Sequence, residues 1–186
     1  ALRRWHLRSS GLTQVWVALS GGRDSIVLLH ALHQARAATA DWTLHAHHVH
    51  HGLSPNSDAW VAHCETICSA LDVPLTVTRV KVDSDDPRGI EAAAREARYA
   101  ALTAAIAGSH AAAVRTTVVA LAHHARDQAE TVLLQLLRGA GPRGLAAMPA
   151  DDGELYSRPL LALPHAAITA YAARNGLGWV DDDSNS

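Results

Sequence analysis

Four times in succession a short apolar run of β type precedes a longer run with helical spacing, and this alternation restricts the chain more than any other feature. The pairs are LTQVWVAL with a helix over 24–38, WTLHAHHV with one over 56–71, PLTVTRVKV with one over 90–107, and TTVVALA with one over 127–137. Repeated strand–helix units predict an α/β fold, a doubly wound, mostly parallel sheet with helices on both faces. In such sheets ligands bind outside the carboxyl ends of the strands, near the reversal of strand order. Chemistry is therefore expected in the segments that follow the β runs. Beyond residue 137, RGAGPRGLAAMPADDGELYSRPLL is rich in Gly and Pro and reads as a loop turning back into the domain. A last helix over 164–175 follows, with Gly176 and Gly178 as stop signals. The expectation is one Rossmann-like domain over 1–186, with 138–186 as its C-terminal extension.

A chain of 186 residues that is 48% hydrophobic can bury a full core. Its formal net charge of -2 gives no global basic field, so a polyanionic partner would dock on a local patch. Cys64 and Cys68 fall four apart inside a helical pattern, which argues against a disulfide framework and for a reducing cytoplasm. No stretch of about 18 apolar residues occurs, so neither a signal peptide nor a membrane span is predicted.

The most informative segment joins the first β run to its helix: Ser20, Gly21, Gly22, Arg23, Asp24 and Ser25. Backbone N–H groups at a helix start hold anions, and glycines let the backbone approach a ligand closely. A Walker loop would end in Lys and Ser or Thr, and this one does not. Asp24 would repel bare phosphate, unless Mg²⁺ bridges the carboxylate and the phosphate oxygens. A plain capped helix entry remains the alternative at this point.

Other constellations carry two readings each. His47, His48, His50 and His51 suggest zinc, but neighbouring strand residues point to opposite faces, so convergence would need a bend. Glu91, Arg95 and Arg98 share one helical face, where Glu91 and Arg95 have the spacing of a salt bridge, and a guanidinium there could also neutralise phosphate charge. Asp127 followed by Glu130 is a capping-box pattern.

The motif SGGxDS after a hydrophobic strand resembles the pyrophosphate loop of the N-type ATP pyrophosphatases, which split ATP into AMP and pyrophosphate to adenylate a substrate. Within that superfamily the chain resembles the tRNA(Ile)-lysidine synthetase family, through HVHHGLSPNSDAW at 48–60, GIEAAAREARYAAL at 89–102, AHHARDQAETVLLQLLRGAGPRGLAAM at 122–148, RPLL at 158–161 and WVDDDSN at 179–185. The resemblance implies a PP-loop ATPase fold of the adenine nucleotide alpha hydrolase-like type. It implies ATP and Mg²⁺ as cofactors, and tRNA(Ile) and L-lysine as partners, with a homodimer as candidate assembly. The implied reaction joins lysine to C2 of the wobble cytidine through an adenylated tRNA. Around the nucleotide it places Ser20 to Ser25, His51 and His124; toward the substrates, Glu91, Arg95, Gln128, Glu130, Arg138 and Arg143. Asp24, Arg95 and Asp127 would be catalytic, with Asp24 and Asp127 on the metal.

In the block HHxDDQxET, His124, Asp127, Gln128, Glu130 and Thr131 match, while Arg126 stands where the family has aspartate. That departure allows a second expectation, a nucleotide-binding domain with impaired catalysis; a third is another PP-loop adenylating enzyme that modifies tRNA. Asp182, Asp183 and Asn185 match the start of a further family segment. The paired arginines and tRNA-binding domains that follow in the family are not in this sequence, so an isolated catalytic domain or a truncated product is expected.

Overall fold

The computed structural model describes residues 13–39, 42–108 and 117–180. Five strands form one sheet: β1 (Gln14–Ala18), β2 (Thr43–His50), β3 (Leu75–Arg79), β4 (Thr117–Ala120) and β5 (Tyr156–Ser157). Their order is β3-β2-β1-β4-β5, and every neighbouring pair is parallel. The helices are α1 (Arg23–Thr39), α2 (Ser57–Ala70), α3 (Ile90–Gly108), α4 (Ala125–Leu137), α5 (Pro142–Leu145) and α6 (His165–Arg174). The strand–helix alternation is thus as expected; β5 and α5 were not foreseen. A two-residue strand is too short to show a period, and β5 exists because Val119 and Ala120 pair with Tyr156 and Ser157.

Alternation along β1 separates two cores. Val15 and Val17 are fully buried against α1, α2 and α6, through Leu28, Leu29, Leu32, Cys64, Cys68, Ile168 and Ala172. Trp16, between them, faces the other way and packs with Val119, Leu121 and the α3 residues Leu102 and Ile106. Helices therefore cover both faces of the sheet. Ile26 to Leu29 are all buried, because the sheet lies under α1 and α6 packs beside it, where the His30 ring meets the Tyr171 hydroxyl at 3.0 Å. Burying leucines such as Leu28, Leu29 and Leu32 contributes about 2 kcal/mol each.

From β1 the chain steps outward to β2 and β3, then returns across β1 to β4 and β5. The carboxyl ends of β1 and β4 flank this reversal, the place where sheets of this kind bind ligands in a crevice. The glycine turn follows β1, and the double histidine follows β4. No helix among the described residues is long and apolar enough to cross a membrane.

Candidate active site

The turn after β1 is internally tied. Ser25 Oγ donates to the Gly22 carbonyl at 2.9 Å and accepts from the Ser20 N–H at 3.2 Å, while Ser20 Oγ accepts from the Gly22 N–H at 3.3 Å. Gly21 has φ +91°, and a Cβ there would stand 3.1 Å from Val180 Cγ2 and 3.3 Å from Cys64 Sγ. Both the backbone conformation and the space require glycine. The Gly21 carbonyl also accepts from the Val180 N–H at 3.1 Å, so the chain beyond α6 closes over the turn. From the other side, His48 Nδ1–H donates to the Leu19 carbonyl at 2.8 Å.

Asp24, in the first turn of α1, is about one-third exposed; Arg23 Nε reaches its Oδ1 at 3.3 Å. Its Oδ2 lies 3.4 Å from His124 Nε2. His124 is buried and caps α4, with its Nδ1 accepting from the Arg126 N–H at 3.2 Å. Asp127 Oδ2 accepts from the His124 N–H at 2.7 Å and lies 3.5 Å from the ring Nδ1. The capping box thus runs from His124 to Asp127, one turn earlier than the Asp127–Glu130 pattern suggests, because α4 starts at Ala125. Two carboxylates therefore bracket one imidazole. A third ring joins them: His165, at the start of α6, packs edge-on against His124 at 5.3 Å between centroids and accepts from Arg23 Nη2 at Nε2. Arg23 also lies over the Trp179 ring.

The remaining predicted residues divide. Arg126 Nε donates to Glu130 at 3.0 Å, an exposed pair on α4. Gln128 grips the Met148 backbone at both ends, donating at 2.9 Å and accepting at 3.0 Å, and so holds the Gly-rich loop. Arg138 is exposed at the far end of α4, one 13-residue helix away from His124, or about 20 Å. Arg143 falls on α5, and its side chain lies outside the described residues, as do Asp182, Asp183 and Asn185. Glu91 is exposed at the start of α3. In place of the Glu91 pairing expected from spacing, Arg95 Nη2 donates to the Tyr99 hydroxyl at 3.3 Å and its guanidinium stacks on that ring.

The histidines at the end of β2 and just after it do not converge. His47 bonds the Thr78 hydroxyl, His48 the Leu19 carbonyl, and His50 faces Asp58 and Arg79. Alternate strand positions dispersed them, as period two requires. Burial first, then neighbouring positive charge, pushes His51 and His123 down to about 4. Arg98 acts on both rings, and Arg95 and Arg158 on His123. Neutral imidazoles surrounded by arginines make this side of the crevice suited to anions. Arg158, buried with its Nη1 on the Pro149 carbonyl, and Trp179 open the RPLL and WVDDDSN blocks but were given no site role from sequence, and His165 lies in none of the blocks. Spacing alone gives none of them a place in the site; tertiary contacts bring them there.

Cys64 and Cys68 are buried free thiols on the core face of α2, pushed up to about 12 and 11 by burial. Burial of this kind is that of core thiols rather than of reactive ones.

A parallel sheet with a glycine turn at its reversal point is the arrangement of a PP-loop protein. The family model for the PP-loop domain matches residues 4–186, and the chain belongs to that family, whose members use ATP. Among curated proteins it is similar to the tRNA(Ile)-lysidine synthases of Chromobacterium violaceum (49% identity over 99% of this chain and 41% of the relative), Ralstonia nicotianae (51%, over 95% and 38%) and Xanthomonas axonopodis pv. citri (51%, over 92% and 38%). The chain thus spans about two-fifths of the length of these relatives. Among solved structures, the U34-tRNA thiolase NcsA from Methanococcus maripaludis, solved with its [4Fe-4S] cluster, shares the fold at TM-score 0.70 and 16% identity, over 91% of this chain and 58% of that one.

Proposed function

We propose that this chain is the nucleotide-activating domain of a tRNA(Ile)-lysidine synthase. It acts on the wobble cytidine of a tRNA(Ile) with a CAU anticodon. The C2 carbonyl oxygen of the base attacks the α-phosphate of ATP and expels pyrophosphate. The amine of L-lysine then attacks C2 and expels AMP. The observation that carries this reading is the joining of the Ser20 to Ser25 turn, through Asp24 and His124, to the end of β4 across the reversal of the sheet.

The turn's backbone N–H groups and the start of α1 would hold the pyrophosphate as its charge concentrates. Mg²⁺ suits this place: Asp24 offers carboxylate oxygens at the edge of the crevice, and Mg²⁺ is commonly held by one or two carboxylates together with substrate phosphates. It would supply charge neutralisation at the leaving pyrophosphate. Asp127 spends Oδ2 on the His124 N–H and so stands beside that ring, and it is the second candidate carboxylate for the metal. Arg95, Arg98 and Arg158 supply positive charge on the β4 side, where phosphate or the tRNA backbone would lie.

Arg126 is compatible with activity, because its side chain turns to Glu130 on the exposed face of α4. Both cysteines are buried on the core face of α2, away from the glycine turn's ligand side, which gives sulfur transfer no thiol at the site. The test is AMP release from radiolabelled ATP with Mg²⁺, a CAU-anticodon tRNA(Ile) and L-lysine, with omission of each. AMP that requires both tRNA and lysine supports the reading. AMP that appears only after Arg126→Asp would instead establish Arg126 as a lesion.

A further inference from the structure

We propose that Asp24, His124 and His165 form a binding site for a first-row transition-metal dication of the Mn²⁺, Co²⁺ or Zn²⁺ kind, occupied before nucleotide arrives, and that Arg23 is the resident cation which the metal displaces. The inference deepens the reading above, since it rests on Asp24 being the metal-facing carboxylate of the nucleotide site.

One donor atom from each of the three residues lies within 4.8 Å of the other two. They come from three elements: the first turn of α1, the cap of α4 and the first residue of α6. Two ligands bound about 2.1 Å from one ion at a tetrahedral angle stand about 3.4 Å apart. Asp24 Oδ2 and His124 Nε2 are 3.4 Å apart. A set of two imidazoles and one carboxylate selects borderline metals, whereas Mg²⁺ prefers oxygen throughout.

The ring chemistry is also in order. A guanidinium can only donate, so the Arg23–His165 contact leaves a lone pair on His165 Nε2. Arg23 thus occupies the His165 lone pair that a metal would take and pairs with Oδ1, the other oxygen of the Asp24 carboxylate, so its charge stands where the metal's would. His124 has two partners at Nδ1: the Arg126 N–H at 3.2 Å and Asp127 Oδ2 at 3.5 Å. A metal on Nε2 moves the ring proton to Nδ1, which then donates to Asp127. This is the carboxylate–histidine–metal arrangement that raises ligand basicity. No net proton is gained or lost.

The test is titration of the nucleotide-free chain with Co²⁺, followed by visible absorption and calorimetry, beside Mg²⁺. One Co²⁺ should bind per chain, more tightly than Mg²⁺, and the His124 ring nitrogens should change tautomer by ¹⁵N NMR with diamagnetic Zn²⁺. His165→Ala should weaken Co²⁺ by at least about tenfold, the loss expected on damaging a metal's ligand set, and His165→Asp should restore binding. Arg23→Ala should tighten it by about tenfold, the size of a unit-charge repulsion at contact distance in water. Thermal melting checks that each variant is folded. Co²⁺ binding no tighter than Mg²⁺, or unchanged in His165→Ala, overturns the proposal. Co²⁺ binding that survives while AMP formation fails under every condition counts against the synthase reading alone; AMP formation with Mg²⁺ but no Co²⁺ site counts against the metal site alone.

Discussion

His124 Nε2 lies 3.4 Å from Asp24 Oδ2, so the start of α1 and the end of β4 meet through one ring and one carboxylate. Asp24 is partly exposed and sits in a first helical turn, and in the function proposed above its charge serves the ligand more than the fold. Asp24→Asn should lower AMP formation by about 100-fold or more, the usual cost of removing a preorganised electrostatic group, while leaving the urea midpoint nearly unchanged. A matching loss of stability would show that Asp24 is structural.

Gly21→Ala places a methyl 3.1 Å from Val180 and 3.3 Å from Cys64 on a backbone with φ +91°. Strain of this kind costs about 1–3 kcal/mol. Equilibrium urea unfolding should show that loss. Because the Val180 N–H binds the Gly21 carbonyl, the amides of residues 179–180 should also exchange faster with solvent.

Stability should depend on pH through His47. Burial, with a smaller push from His48, lowers it to about 4 from an ordinary 6.5, and the side chain sits almost fully enclosed against Thr78. Between those values the unfolded chain binds the proton and the folded one does not. Folding free energy is therefore complete above pH 6.5 and falls by about 1.4 kcal/mol per unit as pH drops toward 4. His51 and His123, also lowered to about 4, act in the same direction. Urea midpoints from pH 8 to 5 should show the slope, and His47→Gln should make it shallower; an unchanged slope would count against a neutral His47 in the fold.

Gln128 clamps both backbone groups of Met148 from α4. Gln128→Ala removes two hydrogen bonds at about 1 kcal/mol each. Limited trypsin digestion should then cut after Arg138 and Arg143 sooner than in the parent chain, before global unfolding. Equal cutting rates would mean that the Gly-rich loop is held elsewhere.

Much of this molecule could be read without its structure. Period two and the helical spacing located β1 to β4 and the four long helices between and after them, since those patterns follow from which side chains must leave water. The glycine turn was legible because Gly21 has a conformation that few other residues adopt, and the structure places Asp24 in that turn's helix beside His124. Local spacing misplaced the capping box by one turn and gave Glu91 rather than Tyr99 as the partner of Arg95. Helical neighbours compete for the same side chain, and packing chooses among them. Only the tertiary structure brought His165, Arg158 and Trp179 to the site, from positions far along the chain from Asp24; the RPLL and WVDDDSN blocks marked the last two without placing them, and nothing marked His165. Strand order decided this: once β4 pairs with β1 rather than with β3, the turn after β1, the cap of α4 and the start of α6 come to the same end of the sheet. Sequence determines which segments pair and which faces are buried. The meeting of residues more than a hundred positions apart depends on how those faces are closed together.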